Sequence, residues 1–207
     1  MNTINITGVV GIDTRYEDII KQLDNSKSDI EIKINSPGGY VYDGIAIYNS
    51  IKKYNKGTKI IRVCGLSASI ASYIMLAGDR LELEENSVIM IHNPSICVMG
   101  DYRKLRSAYS NIEKLRALMS SSYSKYTGIG RKEIETMMDN ETFFIGKDEL
   151  ETWGNVIEDQ NNINKETDNN SKGTTNSNNN NNNKETTKAE AIIQIQSMNT
   201  LIEKSNE

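Results

Sequence analysis

Apolar residues along this chain recur with two different periods, and the periods alternate. Every second position is apolar in Asp29-Ile-Glu-Ile-Lys-Ile-Asn35, and Ile4-Asn-Ile-Thr-Gly-Val-Val10 is rich in β-branched residues; both predict strands. Thr58–Cys64 and the short runs Arg80–Leu83, Val88–Ile91 and Thr142–Ile145 read the same way. Between them, spacings of three and four predict helices. Tyr16–Leu23 gathers Ile19, Ile20 and Leu23 on one face, with Asp13 or Thr14 as its cap. Tyr42–Lys53 does so with Ile45, Ile47, Tyr48 and Ile51. One long helix, Arg103–Tyr126, runs through Leu105, Tyr109, Ile112, Leu115, Met119 and Tyr123, and two shorter ones cover Arg131–Met138, capped by Gly130, and Lys147–Trp153. Ile70–Ala77 is small or apolar throughout, which predicts a buried helix closed by Gly78 in a left-handed cap. Strands alternating with helices predict βαβ units, hence an α/β fold with a mainly parallel sheet and flanking helices.

The pattern stops near residue 159. Gln160–Lys188 is almost devoid of apolar side chains and includes Asn176-Ser-Asn-Asn-Asn-Asn-Asn-Asn183. Such a segment buries too little surface to offset its chain entropy and predicts a disordered linker. Helical spacing returns over Ala189–Lys204 through Ile192, Ile193, Ile195, Met198, Leu201 and Ile202. The predicted organisation is one folded domain over 1–159, an Asn-rich linker over 160–188 and a short amphipathic helix over 189–207. A helix that short is marginal alone and predicts docking on a partner or self-association.

Composition narrows the function classes. A net charge of −4 with no recurrent basic stripe argues against nucleic acid as a partner. Cys64 and Cys97 lie in apolar contexts without metal-ligand spacing, which predicts two free, buried thiols. No apolar run approaches the length of a membrane span, and no basic segment leads into an apolar one at the N-terminus. The expectation is a cytoplasmic protein. A single histidine leaves no ligand cluster, so neither metal nor cofactor is expected.

That histidine, His92, follows the strand Val88–Ile91 and precedes Asn93-Pro94. A serine hydroxyl needs a base before it attacks a carbonyl, and imidazole suits that task near neutral pH. If the chain performs serine–histidine chemistry, His92 is the only histidine available. Gly65-Leu-Ser-Ala-Ser69 joins a strand to a helix, where unpaired backbone donors face an incoming oxyanion. Local chemistry there leaves Ser67 and Ser69 both open, while Ser72 lies a turn into the helix. Ser36-Pro-Gly-Gly39 is a tight turn whose glycines also allow backbone N–H groups to approach a ligand. In a parallel sheet, strand C-terminal ends share one edge, and all three segments fall at such ends.

Taken in order, Ile34-Asn-Ser-Pro-Gly-Gly39, Gly65-Leu-Ser-Ala-Ser-Ile-Ala71 and Met90-Ile-His-Asn-Pro94 resemble the Clp protease proteolytic subunit family, with the closest likeness to its phage and prophage ClpP-like head-maturation members. The resemblance spans roughly residues 2–159. It implies a crotonase-type α/β fold, with Arg103–Tyr126 as a handle helix, and a serine endopeptidase with Ser69 as nucleophile and His92 as general base. It further implies an oxyanion hole from the N–H groups of Gly39 and Ile70. The family's third catalytic residue is an aspartate set a fixed distance before a Tyr-Gly-like pair, here Trp153-Gly154. Counting back reaches Thr142, so Asp139 is assigned as the third member, with Glu141 as the alternative.

The same resemblance implies a polypeptide substrate, with phage capsid or scaffold protein or an unfolded chain as candidates, and homo-oligomeric rings of seven stacked in pairs. Tyr109, Met119, Tyr123 and Tyr126 on the handle are candidates for that interface; the alternative is that they pack on their own sheet. The chain starts almost at its first strand, which leaves coupling to a Clp ATPase through axial loops open. Two rival readings remain: a catalytically silent ring-forming scaffold, and a crotonase-fold acyl-CoA enzyme.

Overall fold

The computed structural model describes residues 1–157. The expected linker and terminal helix therefore lie outside the described residues. In chain order the elements are β1 (Asn2–Val10), α1 (Tyr16–Asn25), β2 (Ile30–Gly39), α2 (Val41–Lys53), β3 (Lys59–Ala68), α3 (Ile70–Ile74) running into a 3-10 turn (Met75–Ala77), β4 (Arg80–Glu84), β5 (Val88–Ile91), α4 (Tyr102–Thr127), α5 (Arg131–Asp139), β6 (Thr142–Ile145), α6 (Lys147–Leu150) and β7 (Asn155–Ile157). The fold is α/β with a mainly parallel sheet, as the alternating periods predicted.

Strands β1, β2, β3, β4 and β7 lie side by side, every neighbouring pair parallel. β3 is long enough to have two partners on one edge. Ile60–Val63 pair with β4, and Leu66–Ala68 pair with β5. β6 then runs antiparallel to β5. This fork places the end of β5 against the end of β3.

Period-two alternation determines the two faces of the sheet. Ile4, Ile6, Ile30, Ile32, Ile34, Ile61 and Val63 are fully buried in one core with Ile19, Ile47, Ile51 and Ile70 from the helices. The intervening positions carry charge. Arg62 donates to Glu31 at 2.9 Å, Glu82 at 2.7 Å and Glu84 at 3.3 Å, joining three adjacent strands. Glu31 and Glu82 are each 8% exposed, so losing their shared cation costs desolvation that is no longer offset. Lys33 and Arg80 still approach them, and Arg62 itself is partly solvated. The expected destabilisation for Arg62→Met is therefore roughly 2 kcal/mol, below the roughly 3–5 kcal/mol of a fully buried pair. Urea unfolding measures it, and an unchanged midpoint would show that the network contributes nothing net.

Several expectations change in detail. α1 is not capped by Asp13 or Thr14: Arg15 is the cap, without a side-chain bond. Asp13 and Thr14 instead hold the end of β1, accepting from Val9 N at 2.7 Å and Thr7 N at 3.0 Å. The helix from Ile70 tightens into a 3-10 turn, and Gly78 is extended (φ −69°, ψ 167°) rather than left-handed. Glycine is needed there for space, since a Cβ would lie 2.5 Å from Ile61 Cγ1. Both cysteines are free but exposed, not buried. Cys64 follows core residue Val63 and falls on the polar face by alternation. The helix expected to reach Trp153 ends at Leu150.

α4 has 26 residues, a span of about 39 Å at 1.5 Å per residue. Asp101 caps its start, accepting from Lys104 N at 2.9 Å, and Gly128 ends it with φ 78°. Its buried side chains, Met119, Ser120 and Tyr123, all sit in the last third. Met119 and Tyr123 therefore pack into the core of their own chain, whereas Leu105, Tyr109 and Tyr126 remain exposed. Tyr123 stacks edge-on against Tyr73 and Trp153 and shares a 2.7 Å hydrogen bond with Ser72 Oγ. Burial pushes its phenol well above the ordinary tyrosine value.

Candidate active site

β2, β3 and β5 end together, and their last residues are the three motifs singled out in the sequence. β2 extends through Ser36-Pro-Gly-Gly39 and β3 through Gly65-Leu-Ser-Ala68, so the expected turn and most of the expected strand-to-helix junction are strand ends. Ser69 lies between β3 and α3 with φ 55° and ψ −128°, outside the regions an L-residue ordinarily occupies. Three bonds hold this elbow: Ser69 N–H donates to Met90 O at 3.0 Å, and Ser69 O accepts from Ser72 N–H at 3.0 Å and from Ser72 Oγ at 2.6 Å. Ser72 is in turn tied to Tyr123, which makes it a buried brace for the elbow.

The consequence is a direct contact. Ser69 Oγ lies 2.7 Å from His92 Nε2. With a neutral ring protonated at Nδ1, the hydroxyl donates to Nε2, which is the arrangement needed for proton removal. Ser67, the other local candidate, is fully buried with its hydroxyl 3.5 Å from Met75 Sδ. Alternation along β3 turns Ser67 inward, and the positive φ of Ser69 presents the later serine to the ring.

Gly38 makes the close approach to this pair. A Cβ on it would stand 2.6 Å from Ser69 Cβ, 2.8 Å from Ala68 O and 3.1 Å from Ile70 N. Gly39 is tight on its other side, where a Cβ would meet Val10 O at 2.2 Å. Tyr40 N–H donates to Val10 O at 2.9 Å. In an extended strand successive N–H groups alternate in direction, so the Gly39 N–H is directed to the β3 side. Ile70 is the first residue of α3, where a backbone N–H has no acceptor within the helix.

The expected third member is placed differently. Asp139, at the end of α5, accepts from Asn93 Nδ2 at 2.8 Å and from Arg116 at 2.9 Å. These donors hold its carboxyl below the usual aspartate range, and no hydrogen bond joins it to His92. Glu141 is the carboxylate that acts on the ring. β6 pairs Thr142 with Ile91, so the preceding residue, Glu141, is brought towards the residue after Ile91, His92. Glu141 has φ 49° and its charge favours imidazolium. Burial dominates, however, and depresses the His92 pKa from its ordinary value. Thr142 itself is turned away, donating to Met137 O at 2.8 Å.

Among the described residues no group of three or more His, Cys, Asp or Glu side chains is arranged to hold a metal ion. No helix among them is long and apolar enough to cross a membrane. A serine hydroxyl, an imidazole and the free backbone N–H at the start of α3 meet at these strand ends. Residues 3–157 match the family model described as Clp protease, and the match takes in every strand end described above. This chain belongs to the Clp protease family of peptidases.

Proposed function

We propose that the chain is a serine endopeptidase in which Ser69 attacks the peptide carbonyl and His92 takes its proton. His92 then returns the proton to the leaving amine, and water repeats the sequence to release the acyl group. The observation that carries this reading is the 2.7 Å contact between Ser69 Oγ and His92 Nε2 on a strained elbow. The N–H groups of Ile70 and Gly39 are the oxyanion donors in this scheme, supported by the free first turn of α3 and the alternation at Gly39. Glu141 takes the place of Asp139 as the supporting carboxylate, through its charge rather than through a hydrogen bond.

Fluorophosphonate labelling located by peptide mass spectrometry tests the assignment. Label is expected on Ser69 of the wild type and absent from His92→Ala. Label on Ser67 would overturn the choice of nucleophile. Assembled protein that takes no label would favour the silent scaffold.

The pH profile tests the base. Only neutral imidazole accepts the serine proton, so activity falls as His92 becomes protonated. Burial lowers that pKa, so half-maximal kcat/KM is expected below the ordinary histidine value of about 6.5. Glu141 opposes the shift, and Glu141→Gln should move the acid limb still lower. Losing a charge that stabilises imidazolium should also reduce the plateau by about tenfold. A limb that does not move in the variant would remove Glu141 from the site.

Family members generally form oligomeric rings that act on polypeptides. We infer rings of seven, stacked in pairs through α4, whose exposed Leu105, Tyr109 and Leu118 supply apolar surface for the contact. Capsid or scaffold protein is the proposed substrate, on the motif resemblance to phage members.

A further inference from the structure

We propose that Arg116 is a positioning residue for the base, holding the His92 segment through Asn93 and Asp139. The proposal rests on the Ser69–His92 reading and adds to it a dependence on helix α4.

Three side chains, from α4, α5 and the loop after β5, close a ring of hydrogen bonds. Arg116 Nε donates to Asn93 Oδ1 at 3.0 Å, and a terminal guanidinium nitrogen donates to Asp139 Oδ1 at 2.9 Å. Asn93 Nδ2 donates to the same Asp139 oxygen at 2.8 Å. Each member thus bonds to both others, and the side-chain amide of Asn93 is held at both its oxygen and its nitrogen. Only a planar guanidinium offers two donors in a fixed fork to two acceptors at once. Arg116 is itself anchored: a second terminal nitrogen lies 3.6 Å from Glu135, which also accepts from Arg131 at 2.9 Å.

What this ring holds is the residue next to His92. Among the described residues the imidazole's one hydrogen bond is to Ser69, so its orientation depends on the backbone that carries it. Upstream, β5 fixes that backbone by pairing with β3 and β6. Downstream, Asn93 is followed by Pro94, which has no N–H to contribute. The ring of three supplies the constraint on that side.

Arg116 lies where α4 changes character. The next buried residue is Met119, while towards the N-terminus the helix face is largely exposed. A displacement of the free part of α4 would reach the catalytic pair through Arg116 and Asn93 before it reached the core.

The test separates positioning from folding by following fluorophosphonate labelling of Ser69 over time, on full-length variants at a matched assembly state. Expected for Arg116→Ala is a rate constant lowered roughly tenfold or more, with the end-point still at full occupancy. Arg116→Lys keeps the charge towards Asp139 but cannot fork, and should fall between the two. Asn93→Ala removes the middle of the ring while leaving Arg116 paired with Asp139, and should match Arg116→Ala; it decides the question if Arg116→Ala does not fold. Rates within twofold of wild type in both alanine variants would overturn the proposal. A reduced end-point at an unchanged rate would overturn it too, showing a role in folding alone. His92→Ala, run alongside, tests the underlying reading: no label in it with wild-type rates in the ring variants would sink the positioning role and leave the serine–histidine pair standing.

Discussion

Ser69→Ala is expected to remove peptidase activity by about 10⁵-fold or more, and His92→Ala to do nearly as much, with the double variant no worse than either single one. The reason is that the two groups act as a unit. Without the ring, the Ser69 hydroxyl keeps its proton; without the hydroxyl, the ring has nothing to deprotonate. His92 is the one histidine of the sequence and already stands 2.7 Å from the hydroxyl, so no other imidazole can substitute. Folding should be unaffected in Ser69→Ala, because Ser69 helps to hold the elbow through its backbone N–H and C=O rather than through its hydroxyl. A peptidase assay on matched assemblies measures the loss, and capsid protein co-expressed with Ser69→Ala should remain untrimmed. Normal trimming would end the capsid reading, and full peptidase activity in Ser69→Ala would end the nucleophile assignment.

The sequence carried the path to this pair further than it carried the surroundings. Alternation in Asp29–Asn35 and the β-branched run of Thr58–Cys64 were enough to place two central strands. Their continuation through Ser36-Pro-Gly-Gly39 and Gly65-Leu-Ser-Ala68 was not legible, because Pro-Gly-Gly reads locally as a turn and a glycine followed by small residues reads as the junction to a helix. The register supplies what local sequence lacks. β2 slips between Ile34 and Ser36 as it pairs with β3, and extended backbone persists past the slip. β7 escaped notice because its three residues carry only two apolar side chains.

The acid posed a different difficulty. Asp139 and Glu141 are two residues apart, but the chain reverses between them, from the end of α5 to the start of β6. Proximity in sequence therefore does not say which carboxylate faces His92, and the preference for Asp139 had no geometry behind it. Pairing of Ile91 with Thr142 favours Glu141, whereas Asp139 is drawn off by Arg116, 23 residues earlier on α4. A long-range ion pair of this kind has no periodic signature. Burial of Met119 and Tyr123 was partly legible: both lie on the helical stripe, and only the tertiary structure shows where α4 leaves the core.

Gly38→Ala is expected to lower the labelling rate of Ser69 by about 100-fold while leaving the protein folded. Two penalties combine at this position. A φ of 98° strains any residue with a Cβ, and that Cβ would sit 2.6 Å from Ser69 Cβ, well inside contact distance. One of the two must move, and Ser69 is the neighbour whose place determines the reaction. A shift of about 1 Å in a reacting atom is enough for a loss of about 10². Gly128→Ala is the control for strain without contact: its φ is 78°, yet nothing lies within 4 Å of the added carbon. That variant should lose about 1 kcal/mol of stability and retain the wild-type labelling rate. If Gly38→Ala also labels at the wild-type rate, the end of β2 yields freely and does not set the position of Ser69. If both variants slow equally, backbone strain alone is responsible, and the close approach of Gly38 has no catalytic meaning.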